Sequence, residues 1–305
     1  MKLRRKRVIK VILEAEKGTK LAATQAILVY DLEINPTAEF IKRMGSGLYR
    51  GNTVAGVLGA NSGVCSFAVE LRSAGSAAME VGLAILLQGC GLKKALEVYQ
   101  VHSVPADDKT ISIDVWEDGK KKGLAGAMGT VRFENEDNGG RMMVHFEFFG
   151  IWQTPTDEAL PAYVPSTTAP MKFQGGTFKI ATVAKAVSKY NLDMGNNVVP
   201  RLDVNAAGGI SYYCITDTDP TLSFDIEIEP VATYDIDGIW YAGTEAAVEL
   251  VLNDGAYKVT FAMPKVQYKE IPSGDKDGIM VYDAVGQCNH NTADDAVVIT
   301  AAAVA

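Results

Sequence analysis

The chain has little of what catalysis or metal binding requires. Its three histidines, His102, His145 and His290, lie far apart, and none has an acidic or cysteine neighbour at ligand spacing. His145 alternates with Met143 and Glu147, as a strand-face residue does. Four cysteines, Cys65, Cys90, Cys214 and Cys288, form no C-x-x-C pair, which argues against a zinc site and a small disulfide scaffold. Reduced, mostly buried thiols are expected. There is no G-x-S-x-G elbow and no H-E-x-x-H. The glycines of GVLGANSG (56–63) and GLAGAMG (123–129) lack the strand–helix setting and the G-K-[ST] of a phosphate loop. Asp235-Ile236-Asp237-Gly238 and Asp275-Lys276-Asp277-Gly278 open like calcium loops, but further acidic ligands and a closing Glu are missing. Aspartate before glycine is a turn signature first. No catalytic residue, metal or cofactor is expected.

Long apolar runs are missing too. No stretch reaches the ~18–20 residues of a membrane span. The apolar run in the opening MKLRRKRVIKVILEAE is cut by Lys10 and ended by Glu14, shorter than the ~7–15 residues of a signal core. It reads as a basic strand of a protein that stays where it is made.

Charge is unevenly placed. The formal net is −8, and six of the 29 basic residues lie within the first ten positions (Lys2, Arg4, Arg5, Lys6, Arg7, Lys10). That leaves 23 basic against 37 acidic residues in the body, a balance of −14. Such a body repels phosphates rather than gripping them. The basic cluster suits a solvated strand edge or a seam against an acidic neighbour at least as well as a nucleic acid or a membrane.

The chain contains itself twice. Ser66-Phe67-Ala68-Val69-Glu70-Leu71 returns as Ser223-Phe224-Asp225-Ile226-Glu227-Ile228 at an offset of 157. Upstream, Leu32-Glu33-Ile34 matches Leu192-Asp193-Met194, and Arg43 matches Arg201. Glu117-Asp118-Gly119 returns as Asn253-Asp254-Gly255 at an offset of 136, followed by Ala127–Phe133 against Ala262–Tyr268. Asx-Gly between alternating runs signals a hairpin, because a type I′ turn needs positive φ at both central residues. The offset shortens by 21 residues after Leu71, and the excess holds the one long helical pattern. Ser76 is its candidate N-cap, Met79, Leu83, Leu86 or Leu87, and Cys90 recur at helical spacing, and Gly89 and Gly91 end it.

The expectation is a mainly β protein of two tandem domains, residues 1–160 and 161–305, with a helix at about 76–89 in the first alone. A linker at about 154–170 holds four of the eleven prolines. Each strand pattern pairs an apolar face with a polar one, as half-solvated antiparallel sheets do. Glu227 and Glu229 fall on one such polar face, and nothing selects them for acid–base work over solvated surface. Two glycine-rich stretches, Met44–Gly63 and Gly195–Gly209, occupy equivalent places in the two copies. Long loops in compact domains are usually functional, and hairpins that pack against a neighbouring subunit would explain both.

With these residues assembled, the chain resembles the tail tube proteins of long-tailed, non-contractile bacteriophages. The likeness runs through RKRVIKVILEAEKGT, AILVYDLEINPTAEFI, ISIDVWEDGKKKGLAGAMGTVRF and TDEALP. It continues in LDMGNNVVPRLDVNAAGGISYYCITDTDPTLSFDIEIEP and AMPKVQYKEI. The resemblance implies tube-type β-sandwich or barrel domains whose subunits form rings, stacked into a hollow tail lined by acidic residues. It further implies DNA passing transiently without specific binding, tail terminator and tail-tip proteins at the ends, and assembly in the host cytoplasm. Neither enzyme activity nor a membrane enters this picture. Related tubes use sixfold rings of single domains, so two domains per chain would give a ring of three chains with pseudo-sixfold symmetry. Six chains, each with an extra outer domain, is the alternative. The lumen candidates are Glu70, Asp225, Glu227 and Glu229. Candidates for contacts between subunits are Met44, Tyr49, Arg50, Val54, Leu58 and Asn61 in the first stretch. Those in the second are Asn196, Asn197, Arg201 and Asn205. The tube of a contractile tail or secretion system is a rival. A carbohydrate-binding β module is another, against which the three tryptophans (Trp116, Trp152, Trp240) are scattered.

Overall fold

The computed structural model describes residues 3, 5–47, 49–51, 53–136 and 140–304. Lys2 and Arg4 of the basic cluster, and Leu48 and Asn52 of the first glycine-rich stretch, lie outside the described residues. The chain opens with β1 (Arg7–Leu13), β2 (Gln25–Ile27), β3 (Tyr30–Pro36), β4 (Phe40–Met44), β5 (Thr53–Leu58) and β6 (Ser62–Glu70). Then come β7 (Ser73–Ser76), β8 (Ala78–Met79), α1 (Val81–Gly89), β9 (Leu92–Ala95) and β10 (Val98–Val101). The first half ends with β11 (Ile111–Glu117), β12 (Lys120–Asn135) and β13 (Met142–Asp157). The second half begins with β14 (Thr177–Ile180), β15 (Val183–Ala184), β16 (Tyr190–Asp193), β17 (Asn196–Leu202), β18 (Ile210–Thr218) and β19 (Thr221–Glu227). It closes with α2 (Ile236–Tyr241), β20 (Glu245–Asn253), β21 (Tyr257–Glu270), β22 (Ser273–Lys276), β23 (Ile279–Asn289) and β24 (Val298–Ala303).

The two halves run through the same succession of antiparallel pairings. In the first, β11 pairs with β12, β12 with β13, β13 with β6 and β6 with β3. In the second, β20 pairs with β21, β21 with β23, β23 with β19 and β19 with β16. The flanks agree: β1 adds to β11 and β2 to β1, as β14 adds to β20 and β15 to β14. A hairpin, β4–β5 or β17–β18, leaves between corresponding strands, and a helix follows β6 and β19 alike. Near the end of their first pairings β12 and β21 are both bulged, at 124–127 and 263–266. The extra residue there bends a strand and sharpens its twist.

The halves differ in continuity. Where β12 and β13 run unbroken, the second half has β21 followed by β22, and β23 followed by β24. The halves also meet. Beyond β11, the edge of β12 is taken by β16, with Arg132 opposite Asp193 and Glu134 opposite Asn191. β24 lies between β21 and the first half's β10. One large buried core runs across both halves, with Phe133 edge-on to Phe261 at 5.1 Å and Tyr190 against Phe261 at 6.0 Å.

Three local expectations are corrected. The first helix starts at Val81 behind Glu80, with no side-chain cap, and not at Ser76. Ser73–Ser76 and Ala78–Met79 form a short ladder instead, which takes the backbone groups a helix would need. The helix packs Leu83, Leu86 and Leu87 into the core, and Gly82 lets it approach so closely that a Cβ would lie 2.3 Å from Ile27. The second half has a short helix of its own, α2, capped by the Asp235 carboxylate on the Gly238 amide at 2.8 Å. Of the two Asx-Gly turns, only Asp118-Gly119 has positive φ at both residues (43° and 90°). The Asp254 carboxylate instead accepts from the amides of Ala256 and Tyr257, giving a longer turn with Gly255 alone at positive φ.

Candidate functional site

Edge to edge, the pairings place β3, β6, β13, the second half of β12, β16, β19, β23 and β22 in one continuous order. Each half contributes four strands to it. Residues directly opposite one another across antiparallel strands share a face. One row therefore reads Glu33, Ser66, Glu147 and Thr130. The next reads Ala68, His145, Arg132, Asp193, Thr221 and Gln287. A third reads Glu70, Met143, Glu134, Asn191, Ser223 and Val285. The opposite face of the same strands carries Phe67, Val69, Phe133, Leu192, Phe224 and Ala284, all in the core. The sheet is thus apolar on one side and polar, with acidic residues in excess, on the other.

The four acidic residues singled out from the sequence divide into two kinds. Glu70 is buried, with its carboxylate bound by Arg72, by Arg141 Nη1 at 2.5 Å and by Tyr30 Oη at 2.9 Å. Asp225 is buried as well, and accepts from the amides of Ser188 (2.5 Å) and Lys189 (2.7 Å) and from the Ser188 hydroxyl. Burial alone would push both carboxyls up. The bonds from Arg72, Arg141 and Tyr30 outweigh it at Glu70, as those from Ser188 and Lys189 do at Asp225, so both sit below the ordinary carboxylate range. Glu227 is exposed at the end of β19. Glu229 lies past that strand and pairs with the Lys185 ammonium at 2.5 Å. Exposed or half-buried Glu134, Glu147, Asp193 and Asp283 share the polar face and escaped the sequence reading. The alternation of His145-Phe146-Glu147-Phe148 was the signal that could have found Glu147; around Asp283, in VYDAVGQ, the pattern is too irregular to single it out.

The two glycine-rich stretches become hairpins with opposite fates. In the first, Met44 is 72% exposed and Tyr49 78%, and Phe40, Ile41, Val54 and Leu58 are exposed too. Arg50 is also at the surface, and Asn61, at the foot of the hairpin, donates its amide to the Gly208 carbonyl at 2.9 Å. The second hairpin lies on its own chain. Ile210 and Tyr213 are buried with Met128, and Phe149 and Ile151 pack around them. Asn196 fixes its base by donating to the carbonyls of Cys90 (2.8 Å) and Gly129 (3.0 Å). Asn197 bonds Thr216, Arg201 lies on Tyr212, and Asn205 closes a turn on Asp203, all within the hairpin. The fit is close: Gly126, at φ 56°, would place a Cβ 3.1 Å from Tyr212.

Among the described residues no group of three His, Cys, Asp or Glu is placed to hold a metal, and no helix is long and apolar enough to cross a membrane. A layered β protein whose distinctive surfaces are an acidic sheet face and an apolar hairpin is built to associate. The family comparison gives that class its identity. The chain belongs to the phage tail tube protein family, whose model matches residues 6–288. It is therefore a structural tail component and not an enzyme. No curated protein matched the chain.

Proposed function

We propose that this chain assembles into stacked rings that form the hollow tail tube of a long-tailed, non-contractile phage, through which double-stranded DNA reaches the host. The observation that carries this reading is the continuous sheet with four strands from each half, apolar towards the core and acidic on the other side. Turned to a lumen, such a face repels phosphates, so DNA slides instead of binding. Glu147, Asp193, Glu227 and Asp283 supply the repulsive charge, while Glu134 is paired with Arg132 at 3.2 Å. Glu70 and Asp225 also lie on that face, but their carboxylates are held by Arg72, Arg141, Ser188 and Lys189.

The matching succession of pairings in the two halves supports a duplicated tube domain, with copies at 1–160 and 161–305. Two copies per chain favour a ring of three chains with pseudo-sixfold symmetry. Terminator and tail-tip proteins cap the ends, and assembly takes place in the host cytoplasm. Negative-stain electron microscopy of the concentrated protein tests the reading. Hollow tubes of uniform width are expected, and a protein that stays monomeric alone and with its terminator and tip partners would contradict it. The lumen assignment has its own test. Glu147→Lys with Asp283→Lys should leave tubes intact but make them retain double-stranded DNA at low salt, and tubes that still release it would reverse the assignment.

A further inference from the structure

We infer that the contact between the two halves of one chain is the template for the contact between chains. The strand edge of β3 and the β4–β5 hairpin of one copy dock on β22 and the end of β21 of the next. The inference rests on the tube reading.

It starts from the edges. Inside the chain, β16 closes on β12, with the Met194 amide donating to the Val131 carbonyl at 3.0 Å and Phe133 opposite Leu192. The counterparts of these strands lie at the two ends of the sheet, and among the described residues neither has a strand on its outer side. β3 pairs with β6 alone, and β22 with β23 alone.

The ladders give the equivalence residue by residue. Cys65 and Leu222 hold the same place in the repeated motif, and they face Ile34 and Leu192. Val69 and Ile226 are likewise equivalent. From Val69 the ladder leads through Val144 to Phe133, and from Ile226 through Tyr282 to Ser273. So Ser273 of one copy stands to Ile34 of the next as Phe133 stands to Leu192; the ladders thereby correct the matches read from sequence, which set Ile34 against Met194 and Phe133 against Tyr268.

Backbone directions agree. The Thr37 amide donates to Ser62 and the Asp283 amide to Pro272, both at 2.9 Å. Alternation then turns the backbone groups of Ile34 and Ser273 to the open side, where partners are needed. Pro272 lacks an N–H, but its carbonyl faces β23, so the open edge loses nothing.

The hairpins supply a second, independent argument. β17–β18 leaves the end of β16 and lies across the bulge of β12 and onto β13, burying Ile210 and Tyr213. β4–β5 leaves the end of β3 in the same way, yet its Phe40, Met44, Tyr49 and Leu58 are exposed. When β3 docks on β22, this hairpin falls across the bulge of β21, the counterpart of the site that holds β17–β18. The occupant is a second copy in a head-to-tail contact, which closes into a ring or runs on as a filament according to its rotation.

Paired cysteines test the register. Pro272 and Asn35 are both exposed and take the places of Arg132 and Asp193. Opposed residues of that non-hydrogen-bonded kind have the Cβ approach a disulfide needs. In a Cys214→Ser background, oxidised tubes of Asn35→Cys with Pro272→Cys should resolve on non-reducing gels as dimers and closed covalent trimers. Asn35→Cys with Glu270→Cys, two residues out of register, should link poorly. Tubes without the in-register link, or with equal linking in both pairs, overturn the inference. Should the paired variant not assemble, hydrogen exchange on the unaltered protein decides. The amides of Ile34 and Ser273 should gain at least tenfold protection on assembly, and unchanged exchange overturns the inference. If the unaltered protein never forms tubes, the tube reading itself falls, which is a different result.

Discussion

The two hairpins make the most instructive comparison in the molecule. They leave corresponding strands of the two halves, yet one buries Ile210 and Tyr213 and the other exposes Phe40, Met44, Tyr49 and Leu58. Burying a large apolar side chain stabilises by about 1.5–3 kcal/mol relative to leaving it in water. A free hairpin with several such side chains is therefore costly unless something covers it. The second hairpin is seated on the first half of its own chain through Ile210 and Tyr213, while Leu202 and Val204 at its far end are 71% and 97% exposed. In the proposed docking, the first is open because the copy that covers it is another molecule. In that docking, one element serves as core in one half and as docking surface in the other.

The strongest way to break this comparison is to remove each hairpin. Replacing residues 40–58 by a short turn should abolish tubes while the monomer's melting temperature barely moves, as sedimentation and calorimetry would report. Removing 196–218 should destabilise the monomer itself. If both deletions behave alike, the contrast has no energetic content. Single substitutions sharpen it. Met128→Ala, beneath the second hairpin, should cost about 2–5 kcal/mol in denaturant unfolding. Met44→Ala, on the first, should change monomer stability by no more than about 0.5 kcal/mol and act on assembly alone.

Acid gives a smaller effect. Glu70 and Asp225 are held below their ordinary values, so both stabilise the fold above the unfolded carboxylate range of ~3.9–4.3. That contribution is lost as pH falls through the lower folded values. Asp225→Asn should lower stability at neutral pH and flatten its decline below about pH 4; an unchanged slope would remove the buried carboxylate from the account. Smallest is thiol reactivity. Burial pushes Cys288 up to about 12 and raises Cys65 and Cys90 as well. Cys214, half-buried on β18, should react with maleimide first, and equal labelling of all four would mean the core opens readily.

Much of the fold was legible because repetition is visible without structure. The repeated SFAVEL and SFDIEI runs fall on β6 and β19, at matching places in the two sets of pairings. The start of the helix was not legible, because Ser76 competes for a local ladder that depends on Met79 meeting Ser73. Nor was the meeting of the halves. The edge of β12 that accepts β16 has no sequence mark beyond alternation, and its partner lies some sixty residues on. Alternation placed Glu70 and Asp225 on a polar face. It could not say that Arg72, Arg141, Ser188 and Lys189 would close around their carboxylates, since those contacts come from turns and neighbouring strands.

The most direct test of the account is helical image reconstruction of assembled tubes at a resolution that separates strands. Three chains per ring are predicted, each giving two similar wedges, with β22 of one chain beside β3 of the next and the acidic sheet face towards the channel. Six chains per ring, or that sheet face turned outward, would contradict it.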